Sequence, residues 1–595
     1  AASYVITTTE GASLHLDRLR KRPNDFDPAV RDRLIAGAMV PAALVDRAQK
    51  FRRWYRAQLL EIFKSVDVLI APATPCVAPK IGQVNFTLDG VELPVRANIG
   101  LHTQPISFIG LPVVAVPVPL QPMPLVTVAW VLFAAAAWLL RGVPLRWAVA
   151  LIIIGAVAIQ VVAVSGAPQS STDLYRYMWD GRVQAAGYDP YAYVPAAPQL
   201  AHIRDPFLFN HQARFCVGAG VQEPGYPGLT LAPGCTWINR PTVPTIYPPV
   251  AEFYFLALHY ATPVWAGSTP VQAAAGACAV LVTLLLLAGL RWLRRDLRWA
   301  ALWAWCPTVA LEAGNNAHVD VVAVLLTLAA LLVLALRGTR RRGALLGGTL
   351  LGLAIATKMT PVLVGPAVLK RRWPSVAGAA AGAVAVVYLP HVLAVGSKVI
   401  GFLPGYLQQE GYDSGQRFAL ISLFATGKLA IVIAVLLLAV TGLAVIWFSD
   451  PDRPWQAAVV MTGMALIVTT PTYQWYAILL VMLVVLDGRP EWLALAAGGY
   501  LGAEPHLGRW REVPHAVVIG YGLATLFIAL VTLLRWLLAR HPEWAWAVRF
   551  GSRGVAGLAG AKAGLAGAEA SVDGPGPARP ETAVTEDTTG SVAAR

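Results

Sequence analysis

Charge is scarce in this chain. Only 13% of its 595 residues are Asp, Glu, Lys or Arg and 56% are hydrophobic, whereas a soluble globular protein carries about 25% charged residues. A soluble fold for the whole chain is thereby excluded, and most of it belongs in lipid. The net charge of +14 invites a nucleic-acid reading, but no basic helix with a polar face stands apart from the apolar segments, so no nucleic-acid partner is expected. No internal repeat is visible, which disfavours an inverted-repeat transporter. Cysteine is sparse as well. Of five, Cys278 and Cys306 lie in apolar runs as packing residues, Cys76 lies in the N-terminal region, and Cys216 and Cys235 flank a polar, Gly/Pro-rich stretch. Outside the cytoplasm that last pair either oxidises to a disulfide, the favoured reading, or stays as two free thiols.

What is present is a series of apolar runs separated by basic loops. Candidate spans fall at 124–140, 145–166, 270–290, 298–315, 318–336, 343–358, 361–369, 374–396, 428–448, 455–470, 472–487, 491–505 and 515–538, measured against the roughly 20 residues that cross a bilayer. The short pair 343–358 and 361–369 reads as broken or re-entrant helices, and 248–266 as an interfacial or re-entrant helix. Placing Arg291-Trp-Leu-Arg-Arg295, Arg337-Gly-Thr-Arg-Arg-Arg342 and Lys370-Arg-Arg372 in the cytoplasm obeys the positive-inside rule. It puts 167–247 outside as a large first loop. The expected fold is an all-α polytopic membrane protein of about 11–13 transmembrane segments over 123–540, with a small α/β N-terminal region at 1–122 and a disordered cytoplasmic Ala/Gly/Pro-rich tail at 541–595, the last too poor in large apolar side chains to offset its ordering entropy.

The unusual polar residues gather on the outer face. Ser171-Thr-Asp-Leu-Tyr-Arg-Tyr-Met-Trp-Asp-Gly-Arg182 follows a span directly and holds Asp173, Arg176, Tyr177, Trp179, Asp180 and Arg182. A carboxylate at Asp173 can take a proton from a hydroxyl; equally it can cap a helix or pair with Arg176. Asp180-Gly-Arg and Gly187-Tyr-Asp-Pro-Tyr191 read as turns. Glu312-Ala-Gly-Asn-Asn-Ala-His-Val-Asp320 interrupts two apolar runs with Asn316, His318 and Asp320 as candidate substrate contacts, since charge at membrane depth is costly and defaults to function. His-x-Asp alone offers too few ligands for a metal, and no metal or other cofactor is expected. Lys358 stands between two short apolar helices with no acid near in sequence; a lipid phosphate would suit it, as would snorkelling to the interface. Ile246-Tyr-Pro-Pro-Val-Ala-Glu252, Tyr388-Leu-Pro-His391 and Pro471-Thr-Tyr-Gln-Trp-Tyr476, the last with Gln474 and Trp475, place aromatics at span boundaries.

The order of these pieces resembles the polyprenyl-phosphate-mannose-dependent mannosyltransferases of the GT-C superfamily over about 123–540. The resemblance implies an inverting enzyme of the cell membrane with its active site outside. It would move mannose from a polyprenyl phosphate sugar donor to a lipid-linked glycan acceptor such as a lipomannan-type glycan, forming an α-linkage, with membrane lipids as further partners. It also implies that Asp173 is the general base. Some branches carry histidines in the late boundary motif, where this chain has Thr472-Tyr473-Gln474-Trp475; His318 is then a candidate for part of that role. Transfer of arabinose or glucose, or a lipid-linked-sugar flippase, remain alternatives.

A second resemblance covers about 1–118. Asp67-Val-Leu-Ile-Ala-Pro-Ala-Thr-Pro-Cys76 and Thr103-Gln-Pro-Ile-Ser-Phe-Ile-Gly-Leu-Pro-Val-Val114 are similar to the C-terminal part of amidase-signature hydrolases. Charged helices are expected within 27–63 and buried strands at 66–71 and 111–118. That family works with a Lys and two Ser residues, none of which falls in the matched stretch, so this region is expected to be catalytically empty.

Overall fold

The computed structural model describes residues 2–66, 69, 73–74, 79, 82–88, 91–111, 122–210, 215–217, 234–263, 266–502 and 516–541. The strands expected at 66–71 and 111–118 and the tail after residue 541 fall almost wholly outside these. The chain divides into two compact units, Ala1–Leu120 and Gln121–Arg595.

The first unit is mostly helical. Ala2–Lys21, Pro28–Ala38 and Ala42–Ile62 form its three long helices. Asp27 starts the second by accepting from the backbone N–H groups of Ala29 and Val30, a side-chain N-cap followed by proline at the first position. An antiparallel hairpin pairs Asn85–Leu88 with Val91–Pro94, Phe86 opposite Leu93.

The second unit is a helical bundle. Seven of its described helices are long and apolar enough to cross a membrane: Leu125–Gly142, Leu145–Val164, Thr269–Trp292, Asp320–Arg337, Trp373–Gln409, Gly427–Phe448 and Ala516–Arg540. Helices are the solution here because lipid offers backbone groups no partner. Shorter apolar helices, Pro454–Thr469 and Gln474–Asp487, run among them. Every residue of Ile478–Asp487 is buried, so this largely apolar segment lies inside the bundle, packed on Pro454–Thr469 and Asp320–Arg337.

Side-chain hydrogen bonds, most of them to the backbone, tie the two ends of the bundle. At one end Arg298 donates to the Val143 carbonyl, Arg295 to those of Leu486 and Asp487, and Lys370 to those of Trp447 and Ser449. The basic loops are thus the knots of that end. At the other, Gln272 donates to the carbonyls of Gly166 and Asn315, Tyr521 to that of Pro471, and Tyr500 to the Glu312 carboxylate.

The region after Leu145–Val164 corrects one expectation. Asp180-Gly-Arg is no turn: it lies inside a helix, Asp173–Ala185. Gly181 is there because a Cβ would stand 2.3 Å from the Phe255 carbonyl oxygen of the neighbouring helix Pro249–Ala261; the glycine lets the two helices touch. Gly187, at φ 82°, does turn. Further on, a short antiparallel ribbon sets Cys216 opposite Cys235, and Cys235 is disulfide-bonded. Cys278 and Cys306 are free thiols, Cys306 fully buried.

Candidate active site

A cavity of about 1650 Å3 opens at the end of the bundle opposite the basic loops. Its polar wall comes from four stretches far apart in sequence: Asp173 and Arg176, Asn239 with Arg240 and Tyr247, Glu312, and Lys358. Tyr406, Tyr473, Trp475 and Tyr476 form an aromatic side. Leu125, Ala129, Leu132 and Phe133 of the helix Pro122–Leu139, with Ile159, form an apolar side. Leu125 and Leu132 line the cavity yet are 71% and 64% exposed, so the cavity opens sideways past this helix. Gly155 belongs to the same wall, where a Cβ would lie 2.3 Å from the Trp305 indole nitrogen; glycine makes room for the indole.

Asp173 is the first residue of its helix, and Thr172 is the cap position. The Asp173 carboxylate does not cap and does not pair with Arg176. Its Oδ1 accepts from the Asn239 amide at 2.6 Å and its Oδ2 from the Tyr247 hydroxyl at 3.1 Å. Burial alone would raise its pKa, but His318, the Asn239 hydrogen bond, Lys358 and Arg240 together hold it below the ordinary carboxylate value. The carboxylate is therefore ionised at neutral pH. Burial pushes the His318 imidazole down to about 4, against the pull of Asp173 and Asp320. His318 is thus neutral near pH 7.

The Glu312 to Asp320 motif folds as a π-helical turn, Val309–Asn315, a local irregularity that often accompanies function. It brings Asn315 and Asn316 against the loop before Asp173. Asn316 Oδ1 accepts from the backbone N–H groups of Gln169, Ser170 and Ser171, and Asn315 Oδ1 from that of Gln169 at 2.8 Å. Asn316 is therefore a positioning residue for the start of the Asp173 helix. Ala317, fully buried, takes φ 55°, a strained conformation for a residue with a Cβ, and so turns His318 inward. The His318 ring stacks on Trp475 with centroids 4.0 Å apart.

Lys358 has an acid partner after all. Its ammonium lies 3.1 Å from Asp320 Oδ2 and 5.2 Å from the Tyr247 ring centroid. Distance in sequence concealed the pair. Asp320 therefore holds Lys358 in the cavity wall and does not itself line it. Arg176 is buried, with its Nε bonded to both Asp180 oxygens at 2.8 and 2.9 Å and its Nη1 to the Val243 carbonyl at 3.1 Å. Its Nη2 has no partner among the described residues, although the side chain lines the cavity.

Besides Asn316, His318 and Asp320, five expected contacts do not line the cavity. Trp179 packs in a separate apolar cluster with Val183, Leu200, Leu208 and Ile238. Tyr177 stacks on Phe255 at 4.4 Å. Arg182 pairs with Asp205. Asp180 is buried with Arg176 and Glu252; Glu252 also holds Thr245 at 2.6 Å. Burial, then Asp180, pushes the Glu252 carboxyl well up. Gln474 is buried beside Trp475 without lining the cavity. Position along the helix explains the first four: only the first turn of Asp173–Ala185 reaches the cavity, and the later turns pack on Pro249–Ala261 and the outer loop. Trp475 lines the cavity as expected, whereas Asn239, Arg240, Tyr247, Glu312, Tyr406, Tyr473 and Tyr476 were missed as contacts. Tyr247 and Glu312 at least lie in motifs that broke the apolar pattern; Asn239 and Arg240 had no local signal.

Residues 245–471 match Glycosyltransferase family 87. The match includes Tyr247, Glu312, His318 and Lys358, while Asp173 precedes it. It supports a membrane glycosyltransferase and, with the apolar helices, a multi-pass membrane protein. Residues 2–155 match the family described as Amidase. Curated relatives of that part include the AtzE chain of 1-carboxybiuret hydrolase from Pseudomonas sp. (strain ADP), 52% identical over 117 residues, 20% of this chain and 26% of the relative. A glutamyl-tRNA(Gln) amidotransferase chain from Akkermansia muciniphila is 33% identical over 103 residues, 16% of this chain and 21% of the relative. The chain thus spans about a quarter of the length of the curated relatives it matches. A solved structure of a vestigial protein complex bearing on the origins of an s-triazine catabolic enzyme is 51% identical over 18% of this chain and 24% of its own, with a TM-score of 0.18.

Proposed function

We propose that the second unit transfers a sugar, mannose being the first candidate, from a polyprenyl phosphate to a lipid-linked glycan on the extracytoplasmic side, with inversion to an α-linkage. The observation that carries this reading is an ionised Asp173 in the wall of a cavity that also presents cations and a laterally open apolar side. The apolar side suits a prenyl chain entering from the bilayer. The unpartnered Nη2 of Arg176 and the ammonium of Lys358 suit the phosphate. The shelf of Tyr473, Trp475 and Tyr476, with ring centroids 4.6 and 6.2 Å apart, suits the pyranose faces of an acceptor.

Displacement at the anomeric carbon passes through an oxocarbenium-like state. Asp173 removes the acceptor proton as the new bond forms. Lys358 and Arg176 neutralise the departing monophosphate, and preorganised charge of this kind lowers a barrier by roughly 3–4 kcal/mol per donor. A monophosphate held by cationic side chains calls for no metal. Basic loops at the far end support an extracytoplasmic site. Residues 1–122 are proposed to take no part in this chemistry.

The test is a screen of the purified protein in lipid nanodiscs against radiolabelled polyprenyl-phosphate mannose, glucose and arabinose, with Asp173→Asn as control. Transfer from one donor that vanishes in the variant is expected. Full activity of Asp173→Asn would remove Asp173 as base, and transfer from glucose or arabinose alone would replace mannose.

A further inference from the structure

Behind Asp173 lies a second carboxylate on the opposite side of the same imidazole. His318 Nδ1 is 3.7 Å from Asp173 Oδ2, and His318 Nε2 is 3.6 Å from Glu312 Oε2. Both distances exceed a hydrogen bond by roughly 0.5 Å or more, and neither ring nitrogen has a hydrogen-bond partner among the described residues. His318 and Glu312 are fully buried. A buried imidazole with two unsatisfied nitrogens, each aimed at a carboxylate, is costly unless it serves a purpose.

We propose that His318 and Glu312 form a proton relay serving Asp173, with His318 as the bridge and Glu312 as the terminal acceptor; this rests on the reading of Asp173 as base. Four features support it. Trp475 stacks on the ring at 25° and restricts its plane. Glu312 is held for the task, with Oε1 accepting from Tyr500 and Oε2 from Asn316, each at 3.1 Å. Glu312 also lines the cavity, so a proton arriving there has an exit to water. Finally, the charged groups facing the ring are Asp173, Glu312, Asp320 and Lys358. With burial, they leave the imidazole neutral, so it passes protons by exchanging tautomers and stores none.

The step balances. The acceptor oxygen forms its bond to the anomeric carbon as the carbon–oxygen bond to phosphate breaks, and the electron pair leaves on the phosphate. The hydroxyl proton goes to Asp173. Asp173 gives it to His318 Nδ1 while the Nε2 proton passes to Glu312, which releases it to cavity water. Asp173 is ionised again while the bonds change; after the products leave, the Nδ1 proton returns through Asp173 to cavity water and Glu312 passes a proton from cavity water to Nε2, which restores the first tautomer.

The test uses the full chain in nanodiscs. Wild-type transfer rates in mixtures of light and heavy water are expected to bow downward from a straight line, because more than one proton moves. Glu312→Gln is expected to lower kcat by about ten-fold or more with donor KM within about two-fold. Glu312→Ala is expected to regain rate on addition of formate, more so with carboxylates of higher pKa. A linear heavy-water dependence in the wild type, or kcat of Glu312→Gln within about two-fold of wild type, would overturn the relay. So would a loss in Glu312→Ala that no added carboxylate recovers while Glu312→Asp stays equally slow. The wild-type measurement stands whether or not the variants fold. Activity surviving in Asp173→Asn would instead overturn the assignment of the base, so the two failures are distinct.

Discussion

Asp173 and Asp180 lie seven residues, about two turns, apart on one helix and so on much the same side of it, yet they have opposite surroundings. Asp173 accepts one hydrogen bond on each oxygen and faces a cavity. Asp180 is enclosed, both oxygens bonded to Arg176 and its burial shared with Glu252. Neighbouring cations hold Asp173 below the usual carboxylate range, while burial raises Asp180 against the pull of Arg176. One carboxylate is left with chemistry to do; the other holds Arg176 in place. A dense run of charge and aromatics is thus divided by packing into a reactive first turn and a structural remainder.

Substitutions along this helix sharpen that division. Asp173→Asn is expected to reduce kcat by about a thousand-fold with an unchanged melting temperature, measured by donor turnover and thermal unfolding. Asp180→Asn is expected to do the reverse. It removes the counter-charge that holds the buried Arg176 guanidinium, which costs about 3 kcal/mol of stability, read as a lower melting temperature with a far smaller loss of turnover per folded molecule than Asp173→Asn shows. Equal effects of the two on kcat would erase the distinction. Gly181→Val drives a side chain into the Phe255 carbonyl and is expected to cost about 2 kcal/mol, again in unfolding and not in chemistry. The smallest effect is expected from Asn239→Ala. Losing a hydrogen bond to the charged form raises the Asp173 pKa, so the acid limb of the rate profile moves to higher pH. A profile that stays in place would mean that Asn239 does not tune the base.

The bundle was legible in the sequence because lipid imposes a simple rule: about 20 apolar residues per crossing and lysine or arginine at the turns. The basic loops read that way tie one end of the structure, through Arg295, Arg298 and Lys370. The site was legible only where polarity interrupted an apolar run, at Asp173, His318 and Lys358. Lys358 seemed to lack an acid because Asp320 belongs to another helix. Arg182 and Trp179 were read as contacts from their place in a conspicuous motif, but helical periodicity turned them toward Asp205 and an apolar cluster. Asp180-Gly-Arg read as a turn because glycine usually marks one. Here it marks a helix crossing, which only the partner helix reveals.

Sequence by itself determined that this chain is a helical membrane protein with its unusual polar residues at one end, since hydropathy and loop charge are properties of each segment alone. Tertiary structure decided which of those residues meet. Whether a carboxylate is a base, a counter-ion or a relay depends on donors and charges within a few ångströms, and those arrive from helices that are remote along the chain.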